Sequence, residues 1–280
     1  MPDVDLVVTD LDGTFWHTDD HVPDAVLAAA GTLADRGIPL LVATGRRLAS
    51  TRAPLARVGL APPAIMLNGA LGVDLATGDR FHVAPFSHTE ALVAYDGFRS
   101  AGLSPVVYVD HPRYDVFISD APDTHPGHVR ALGDTAGVRP STGRGADEDE
   151  LRAAVGAHPV LGFSMIGIPF GRCEAAVIAL EGVAEVHIDR SIDYPGTGSM
   201  TVAPRGQSKW DGVLAFCAAH GLDSARVLAV ADGPNDIELL TNAAVRLVPS
   251  VAHARATELA DHVIPAASEG GWAAVLDHVG

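Results

Sequence analysis

The chain has 280 residues, of which 48% are hydrophobic and 19% are charged. This composition is typical of a folded globular protein and excludes a disordered one, and the length predicts about two domains. Acidic residues outnumber basic ones and give a formal net charge of −16 at pH 7. Because such a charge repels phosphate backbones and anionic lipid headgroups, we expect neither nucleic acid nor a membrane as a partner.

The two cysteines, Cys173 and Cys217, are far apart and form no CxxC motif. This pattern indicates neither a disulfide framework nor a zinc site, and we expect both thiols to be buried as small apolar side chains. The N-terminal residues are acidic where a signal peptide is basic, and no apolar run approaches the ~18 residues of a membrane span. The sequence therefore predicts a cytoplasmic protein.

The first part of the chain alternates short apolar runs with amphipathic stretches. Such runs are typical of strands buried on both faces of a parallel sheet. Pro23 opens the first amphipathic stretch and Gly37 follows its end, as expected for a helix. The predicted strands cover residues 5–9, 38–43 and 64–67, and the predicted helices cover 24–36 and 46–58. This alternation predicts an α/β core with a doubly wound, Rossmann-like parallel sheet.

The alternation is lost from about residue 71, where strands become shorter and turns more frequent. The predicted strands cover residues 71–75, 81–83, 106–109, 114–118, 160–168 and 185–189, and the predicted helices cover 88–101, 148–157 and 172–180. Residues 120–147 are rich in Pro, Gly, His and Asp and predict a loop. We therefore expect an inserted α+β domain over residues 80–201, within a core formed by residues 1–79 and 202–280.

The alternating pattern returns after the insert. Helices are predicted over residues 210–220, after Asn235 and up to Leu259, with strands over residues 227–230, 245–248 and 262–264. The sequence contains neither GxGxxG nor a P-loop. Their absence argues against a site for a dinucleotide or a nucleoside triphosphate.

Polar residues follow the core strands at the sheet edge where open α/β proteins bind ligands. Asp10 and Asp12 follow the first strand within the sequence Asp-Leu-Asp-Gly-Thr. The other segments are Thr44-Gly45-Arg46 after the second strand, Lys209 at a helix start, and Ala231-Asp232-Gly233-Pro234-Asn235-Asp236 after the strand over residues 227–230. We therefore expect four chemically matched segments to converge at one edge.

The acidic residues among them suggest a cation and a phosphate ligand. Carboxylates brought together repel one another and need a counter-charge, which Mg²⁺ supplies while leaving room for a phosphate oxygen. Thr44 and Lys209 are suited to hold further phosphate oxygens. The carboxylate of Asp10 is suited to attack phosphorus, and that of Asp12 to give and take a proton.

These four segments resemble, in order and spacing, the four motifs of the haloacid dehalogenase superfamily of phosphohydrolases. The insert between the second and third motifs, with Asn68-Gly69-Ala70 before it, resembles the Cof-like branch with a type IIB cap. The resemblance implies that Asp10 is the nucleophile and Asp12 the general acid/base. It also implies substrate binding by Thr44, Gly45, Arg46, Lys209 and Asn235, Mg²⁺ ligation by the Asp10 carboxylate, the Asp12 carbonyl and Asp232, and support from Asp236.

The sequence departs from the pattern of this branch at two positions. Ala231 replaces a usual glycine and Leu239 a common methionine, and neither change removes a functional group. Arg46 is equally suited to a phosphate contact and to a structural role, and Asn235 to a substrate contact or to support of the metal loop.

Outside the four motifs, aromatic and histidine side chains are weaker candidates. For Tyr108, Tyr114 and Tyr194, packing in a sheet is favoured over substrate contact. Arg113 is a further candidate cap contact. His125 and His128 lie near Asp120 and Asp123 without metal-site spacing, and we expect them to be solvated loop residues.

The sequence therefore predicts a Mg²⁺-dependent phosphatase that hydrolyses a small phosphorylated metabolite, such as a sugar phosphate, through an aspartyl-phosphate. One alternative is a phosphomutase, or a phosphatase dedicated to one sugar phosphate such as that of trehalose or mannosylglycerate. Another is a non-catalytic phosphate-sensing or interaction module. The sequence does not predict the oligomeric state.

Overall fold

A computed structural model describes residues 3–17, 20–111, 115–119, 143–190 and 194–280. Arg113, Tyr114, Asp120, Asp123, His125 and His128 lie outside the described residues. The described chain divides into two compact units. The first unit comprises Met1–Arg46, Pro54–Val83 and Ser208–Gly280, and the second comprises Arg47–Ala53 and Ala84–Gln207.

The described strands and helices are numbered in chain order. The strands are β1 (Leu6–Thr9), β2 (Leu40–Ala43), β3 (Pro63–Met66), β4 (Leu71–Asp74), β5 (Arg80–Val83), β6 (Val106–Val109), β7 (Val116–Ser119), β8 (Gly143–Ala146), β9 (Val160–Ile168), β10 (Ala184–Arg190), β11 (Gly198–Pro204), β12 (Val227–Val230), β13 (Val245–Pro249) and β14 (His262–Ile264). The α-helices are α1 (Asp24–Asp35), α2 (Leu48–Arg57), α3 (His88–Ser100), α4 (Glu148–Ala157), α5 (Phe170–Leu180), α6 (Lys209–His220), α7 (Ile237–Asn242) and α8 (Ala254–Leu259).

The first unit is built on an eight-stranded sheet of order β14-β13-β12-β1-β2-β3-β4-β5. The six strands from β14 to β3 are parallel. β1 and β12, at the centre, are completely buried, as expected for strands covered on both faces. The predicted doubly wound α/β fold is therefore confirmed.

A hairpin of β4 and β5 extends this sheet beyond β3 with antiparallel pairing. The turn between the two strands is closed by Asp74, whose carboxylate accepts hydrogen bonds from the N–H groups of Ala76 and Thr77. Gly78 then adopts a left-handed conformation, with φ of 86°. β5 thus belongs to the first unit, whereas the sequence predicts an insert that begins at residue 80.

The second unit has its own six-stranded sheet, of order β10-β11-β9-β6-β7-β8, in which only β7 and β8 pair in parallel among the described strands. Helices α3, α4 and α5 share a buried apolar cluster with this sheet, with Tyr95, Phe98, Leu151 and Phe163 among its members. This unit has the predicted α+β composition, but two of its strands were not predicted.

Both missed strands have weak local signals. β11 carries Gly at its start and Pro at its end, residues that mark turns, and it is held by antiparallel pairing to β10 and β9. β8 contains two glycines within the predicted loop and pairs with β7. These two segments therefore form strands because they pair with strands that are distant in sequence, and not because of their local sequence.

Cys173 and Cys217 are both buried, as expected, and burial raises the pKa of each thiol. Among the described helices, none combines the length and apolar character needed to cross a bilayer.

Candidate active site

Asp10 directly follows β1, so it leaves the sheet next to β12 and β2. The Thr9 hydroxyl donates a hydrogen bond to the Asp10 carbonyl oxygen at 2.7 Å and accepts one from Trp272 Nε1 at 2.9 Å. All three residues are buried. These bonds fix the strand end that carries the Asp10 side chain.

Lys209 is the first residue of α6, and its side chain is 1% exposed. The helix start is fixed by Ser208, whose N–H and hydroxyl both donate to Asp211 Oδ2 at 2.8 Å. Lys209 Nζ donates to Asp10 Oδ1 at 2.7 Å and to Asp236 Oδ1 at 2.6 Å. The ammonium is therefore held between two carboxylates that follow β1 and β12.

Asp232 and Asp236 lie in the segment after β12. Asp232 Oδ1 accepts a hydrogen bond from the Thr14 hydroxyl at 2.9 Å, and Asp236 Oδ2 accepts one from the Gly233 N–H at 3.0 Å. Gly13 has a φ of 78°, and a Cβ at this position would overlap Asp232 Oδ2. Glycine is thus required here both by the backbone conformation and by the approach of Asp232.

Asp10, Asp232 and Asp236 form a group whose ligand oxygens all lie within 4.8 Å of one another. Burial raises the pKa of Asp10 well above its usual range, although Lys209 opposes this shift. Burial, with the nearby Asp236, raises the pKa of Asp232 to about 6. Three carboxylates face one ammonium, so the ionised group lacks positive charge.

The hydrogen bonds of this carboxylate group leave specific oxygens available. Within the described chain, both oxygens of Asp236 accept hydrogen bonds, whereas Asp10 and Asp232 each use only Oδ1. Oδ2 of Asp10 and Oδ2 of Asp232 therefore remain as acceptors. Carboxylate oxygens with unbalanced negative charge are the ligands that a hard divalent cation prefers, so these residues fit Mg²⁺.

Asp12 has different surroundings from this group. Arg46 Nε donates to its Oδ2 at 2.6 Å, Arg46 Nη2 donates to its Oδ1 at 2.5 Å, and Trp16 Nε1 donates to Oδ1 at 3.0 Å. The Arg46 guanidinium also lies 5.0 Å from the centre of the Trp16 ring and forms an ion pair with Asp20 at 2.6 Å. In this structure Arg46 therefore contacts carboxylates of its own unit.

The segment Thr44-Gly45-Arg46 follows β2 and is folded back on itself. The buried Thr44 Oγ1 accepts a hydrogen bond from the Arg46 N–H at 3.1 Å, which leaves its hydroxyl proton available for a ligand. Asn235 Nδ2 donates to Asn68 Oδ1 at 2.9 Å, and a Cβ on Gly45 would lie 3.1 Å from that same oxygen. Asn235 therefore joins the loop after β12 to the loop after β3.

The structure thus brings Asp10, Lys209, Asp232 and Asp236 into direct contact or close proximity. Asp12 forms an ion pair with Arg46 instead. Sequence reasoning did not identify Trp16 as a partner of Asp12, because only the turn between them brings the two side chains together.

In the second unit, the Tyr108 hydroxyl bonds to Ser164 at 2.9 Å, and burial raises the pKa of Tyr108.

Comparison with known proteins identifies similar chains. A phosphoglycolate phosphatase from Methanopyrus kandleri is 26% identical over 272 residues, which cover 97% of this chain and 95% of the relative. A haloacid dehalogenase-like hydrolase from B. subtilis superposes with a TM-score of 0.78 at 18% identity, covering 99% of this chain and 100% of that structure. A haloacid dehalogenase subclass IIB sugar phosphatase superposes with a TM-score of 0.76 at 18% identity, covering 98% of each chain. These two structures establish a shared fold.

The family comparison covers most of the chain. Residues 7–130 and 177–276 match the profile of the haloacid dehalogenase-like hydrolases. The matched residues include Asp10, Arg46 and Lys209, and they leave out part of the second unit. The chain therefore belongs to the haloacid dehalogenase-like hydrolase family, and the resemblance to its Cof-like phosphatases that the four motifs indicated is confirmed.

Proposed function

We propose that this protein hydrolyses phosphomonoesters of small metabolites with Mg²⁺, through an aspartyl-phosphate on Asp10. The Asp10 carboxylate supports this proposal most directly: it is buried at a strand end, its Oδ1 accepts a hydrogen bond from Lys209, and its Oδ2 is available. Lys209 neutralises and orients this carboxylate and uses one lone pair of Oδ1, so the carboxylate keeps acceptor positions both for a cation and for attack on phosphorus.

Asp10 and Asp232 would hold the Mg²⁺ ion, together with the backbone carbonyl of Asp12 that the family pattern implies. When bound, the ion supplies positive charge that stabilises the phosphoryl group in the transition state. Asp236 has both oxygens engaged by Lys209 and the Gly233 N–H, which supports a role in fixing the ammonium rather than in ligation.

In the first step a carboxylate oxygen of Asp10 forms a bond to phosphorus while the bond from phosphorus to the leaving oxygen breaks, and Asp12 gives its proton to that oxygen. In the second step a water oxygen attacks phosphorus, Asp12 takes the water proton, and the bond between Asp10 and phosphorus breaks. The Thr44 hydroxyl and the Lys209 ammonium bind the phosphoryl oxygens that do not react.

The substrate class is supported by two similar proteins, one named a phosphoglycolate phosphatase and one a sugar phosphatase. Both names describe small phosphorylated molecules, and we propose a substrate of that size. We also propose that the second unit is the cap, which selects the group attached to the phosphate. Of the tyrosines that the sequence offers as contacts, Tyr108 and Tyr194 lie within the described residues.

The test is release of inorganic phosphate by the purified protein from a panel that includes sugar phosphates, 2-phosphoglycolate and p-nitrophenyl phosphate. We expect turnover with Mg²⁺, loss of turnover with EDTA and recovery when Mg²⁺ is restored. Ca²⁺ should restore little, because it prefers a larger coordination number. Full activity after exhaustive chelation would contradict the metal assignment.

The same panel separates the proposal from its alternatives. A phosphomutase would convert a sugar phosphate into its isomer and release little phosphate. A sensing module would bind phosphorylated ligands, which calorimetry detects, without turning them over. Either outcome would replace the proposed hydrolysis.

A further inference from the structure

The turn after Asp10 brings Trp16 back onto Asp12. The Leu11 carbonyl oxygen accepts hydrogen bonds from the N–H groups of Thr14, Phe15 and Trp16 at 2.9 to 3.2 Å, and the Gly13 N–H donates to the Trp16 carbonyl at 2.9 Å. The Trp16 side chain is completely buried, whereas the Asp12 side chain is 41% exposed. The indole is therefore a fixed partner for a carboxylate that solvent can reach.

The two carboxylate oxygens of Asp12 accept different numbers of hydrogen bonds. A carboxylate oxygen has two lone pairs. Oδ1 accepts from Arg46 Nη2 and from Trp16 Nε1, so both of its lone pairs are used. Oδ2 accepts only from Arg46 Nε within the described chain, so one lone pair remains there. Without the indole N–H, Oδ1 and Oδ2 would each keep one unused lone pair, and the two oxygens would be equivalent in this respect.

We propose that Trp16 is a positioning residue for Asp12: with Arg46 it saturates Oδ1 and thereby makes Oδ2 the oxygen that exchanges the proton. This inference rests on the proposed acid/base role of Asp12. In the first step the proton leaves Oδ2 for the leaving-group oxygen as its bond to phosphorus breaks, and in the second step Oδ2 takes a proton from water.

The test compares leaving groups in the variant Trp16→Phe, which keeps an aromatic ring beneath Arg46 and removes the N–H. An alkyl phosphate needs a proton on its departing oxygen, whereas p-nitrophenyl phosphate releases a stable anion. The ratio kcat/KM covers only the steps up to the phosphoenzyme, so it reports this protonation. We expect kcat/KM to fall about tenfold for the alkyl phosphate and less than about twofold for p-nitrophenyl phosphate.

Two further variants interpret the result. Trp272→Phe removes an indole N–H that bonds to Thr9 and not to Asp12, so it should change both substrates by the same factor. Asp12→Asn should discriminate between the leaving groups more strongly than Trp16→Phe. If Asp12→Asn does not discriminate, the acid role in the proposed function is wrong. If Asp12→Asn discriminates and Trp16→Phe does not, the role of Trp16 is wrong.

An isosteric replacement covers the case in which Trp16→Phe fails to fold. Site-specific incorporation of β-(3-benzothienyl)alanine at residue 16 exchanges the N–H for sulphur and keeps the volume of the buried ring. The same discrimination between leaving groups would support the inference, and equal rates relative to wild type for both substrates would overturn it.

Discussion

Asp10 and Asp12 are two residues apart in one turn, yet their carboxylates have contrasting surroundings. The Asp10 side chain is 10% exposed and lies among charged groups, with Lys209, Asp232 and Asp236 around it. The Asp12 side chain is 41% exposed and is held by N–H donors of Arg46 and Trp16. Charge balance positions the first carboxylate, and directional hydrogen bonds position the second.

This difference suits the two proposed roles. A nucleophile that also ligates a cation needs a fixed place and low solvent access, which burial beside an ammonium provides. A group that exchanges protons with a leaving group and with water needs access to both, and only one of its oxygens has to be free. Changes to the buried carboxylates around Lys209 should therefore affect stability and chemistry together, whereas a change to the exposed Asp12 carboxylate should affect proton transfer with little effect on stability.

The largest effect is expected for Asp10→Asn, because an amide is a poor nucleophile and a poor Mg²⁺ ligand. Turnover should fall by more than about 10³-fold, as when other enzymes lose their nucleophile. Folding should persist, since Lys209 keeps Asp236 and the new amide oxygen as acceptors. Phosphate release measures the loss, and acid quenching with ³²P-labelled substrate should show no labelled protein.

Asp12→Asn is the matched variant for that experiment. It should slow turnover by about 10²–10⁴-fold through loss of acid/base catalysis. Because Asp10 is intact, p-nitrophenyl phosphate should still label the protein. More than a few per cent of wild-type activity in Asp10→Asn, or label in that variant, would contradict the assignment of the nucleophile.

The contrast between the two carboxylates also marks how far sequence reasoning reached. Asp10, Asp232 and Lys209 follow apolar runs or open a helix, and parallel strands bring such positions to one sheet edge, so their proximity was predictable. The pairing of Asp12 with Trp16 was not, because it depends on three N–H groups that bond to one carbonyl oxygen in the turn. Likewise β11 was not predictable, because it contains Gly and Pro and is stabilised by hydrogen bonding to β9 and β10.

The role of Arg46 shows the same limit. The sequence left a phosphate contact and a structural role equally open, since an arginine after a strand serves both. The fold decides its partners by bringing Asp12 and Asp20 within 2.6 Å of the guanidinium. Such ion pairs between distant segments depend on how the loops pack, which local pattern does not determine.

The second largest effect is on stability and compares Asp236→Asn with Asp12→Asn. Asp236 is completely buried and accepts from both Lys209 and the Gly233 N–H, so an amide must direct its NH₂ at one donor. We expect a loss of about 3 kcal/mol in the free energy of unfolding for Asp236→Asn and less than about 1 kcal/mol for Asp12→Asn. Urea unfolding in EDTA measures both without metal binding. Equal losses would remove the distinction between a buried and an exposed carboxylate.

Gly13→Ala should disturb the group formed by Asp10, Asp232 and Asp236, because it displaces Asp232. The new Cβ overlaps Asp232 Oδ2 and the backbone has a φ of 78°, so the side chain of Asp232 must move. We expect a loss of about 2 kcal/mol in unfolding free energy and a rise of about tenfold in the Mg²⁺ concentration for half-maximal activity.

Gly37→Ala is the control for backbone strain alone. Gly37 has a φ of 71°, and a Cβ added there would have no neighbouring atom of the described chain within 4 Å. Gly37→Ala should lower the free energy of unfolding by about 1 kcal/mol and leave the Mg²⁺ concentration for half-maximal activity unchanged. An equal shift in Mg²⁺ requirement for both variants would mean that Gly13 does not act through Asp232.

The smallest expected effect concerns the bridge between Asn68 and Asn235, which connects the loops that flank the site. Asn235 Nδ2 donates to Asn68 Oδ1 at 2.9 Å, and Asn68 has a φ of 54° that asparagine and glycine tolerate. A double-mutant cycle of Asn235→Ala and Asn68→Gly should give a coupling energy of about 1 kcal/mol in unfolding free energy. If Asn235 acts mainly through this bridge, Asn68→Gly and Asn235→Ala should also raise KM by similar factors. A KM effect confined to Asn235→Ala, with no coupling, would instead favour direct contact between Asn235 and the substrate.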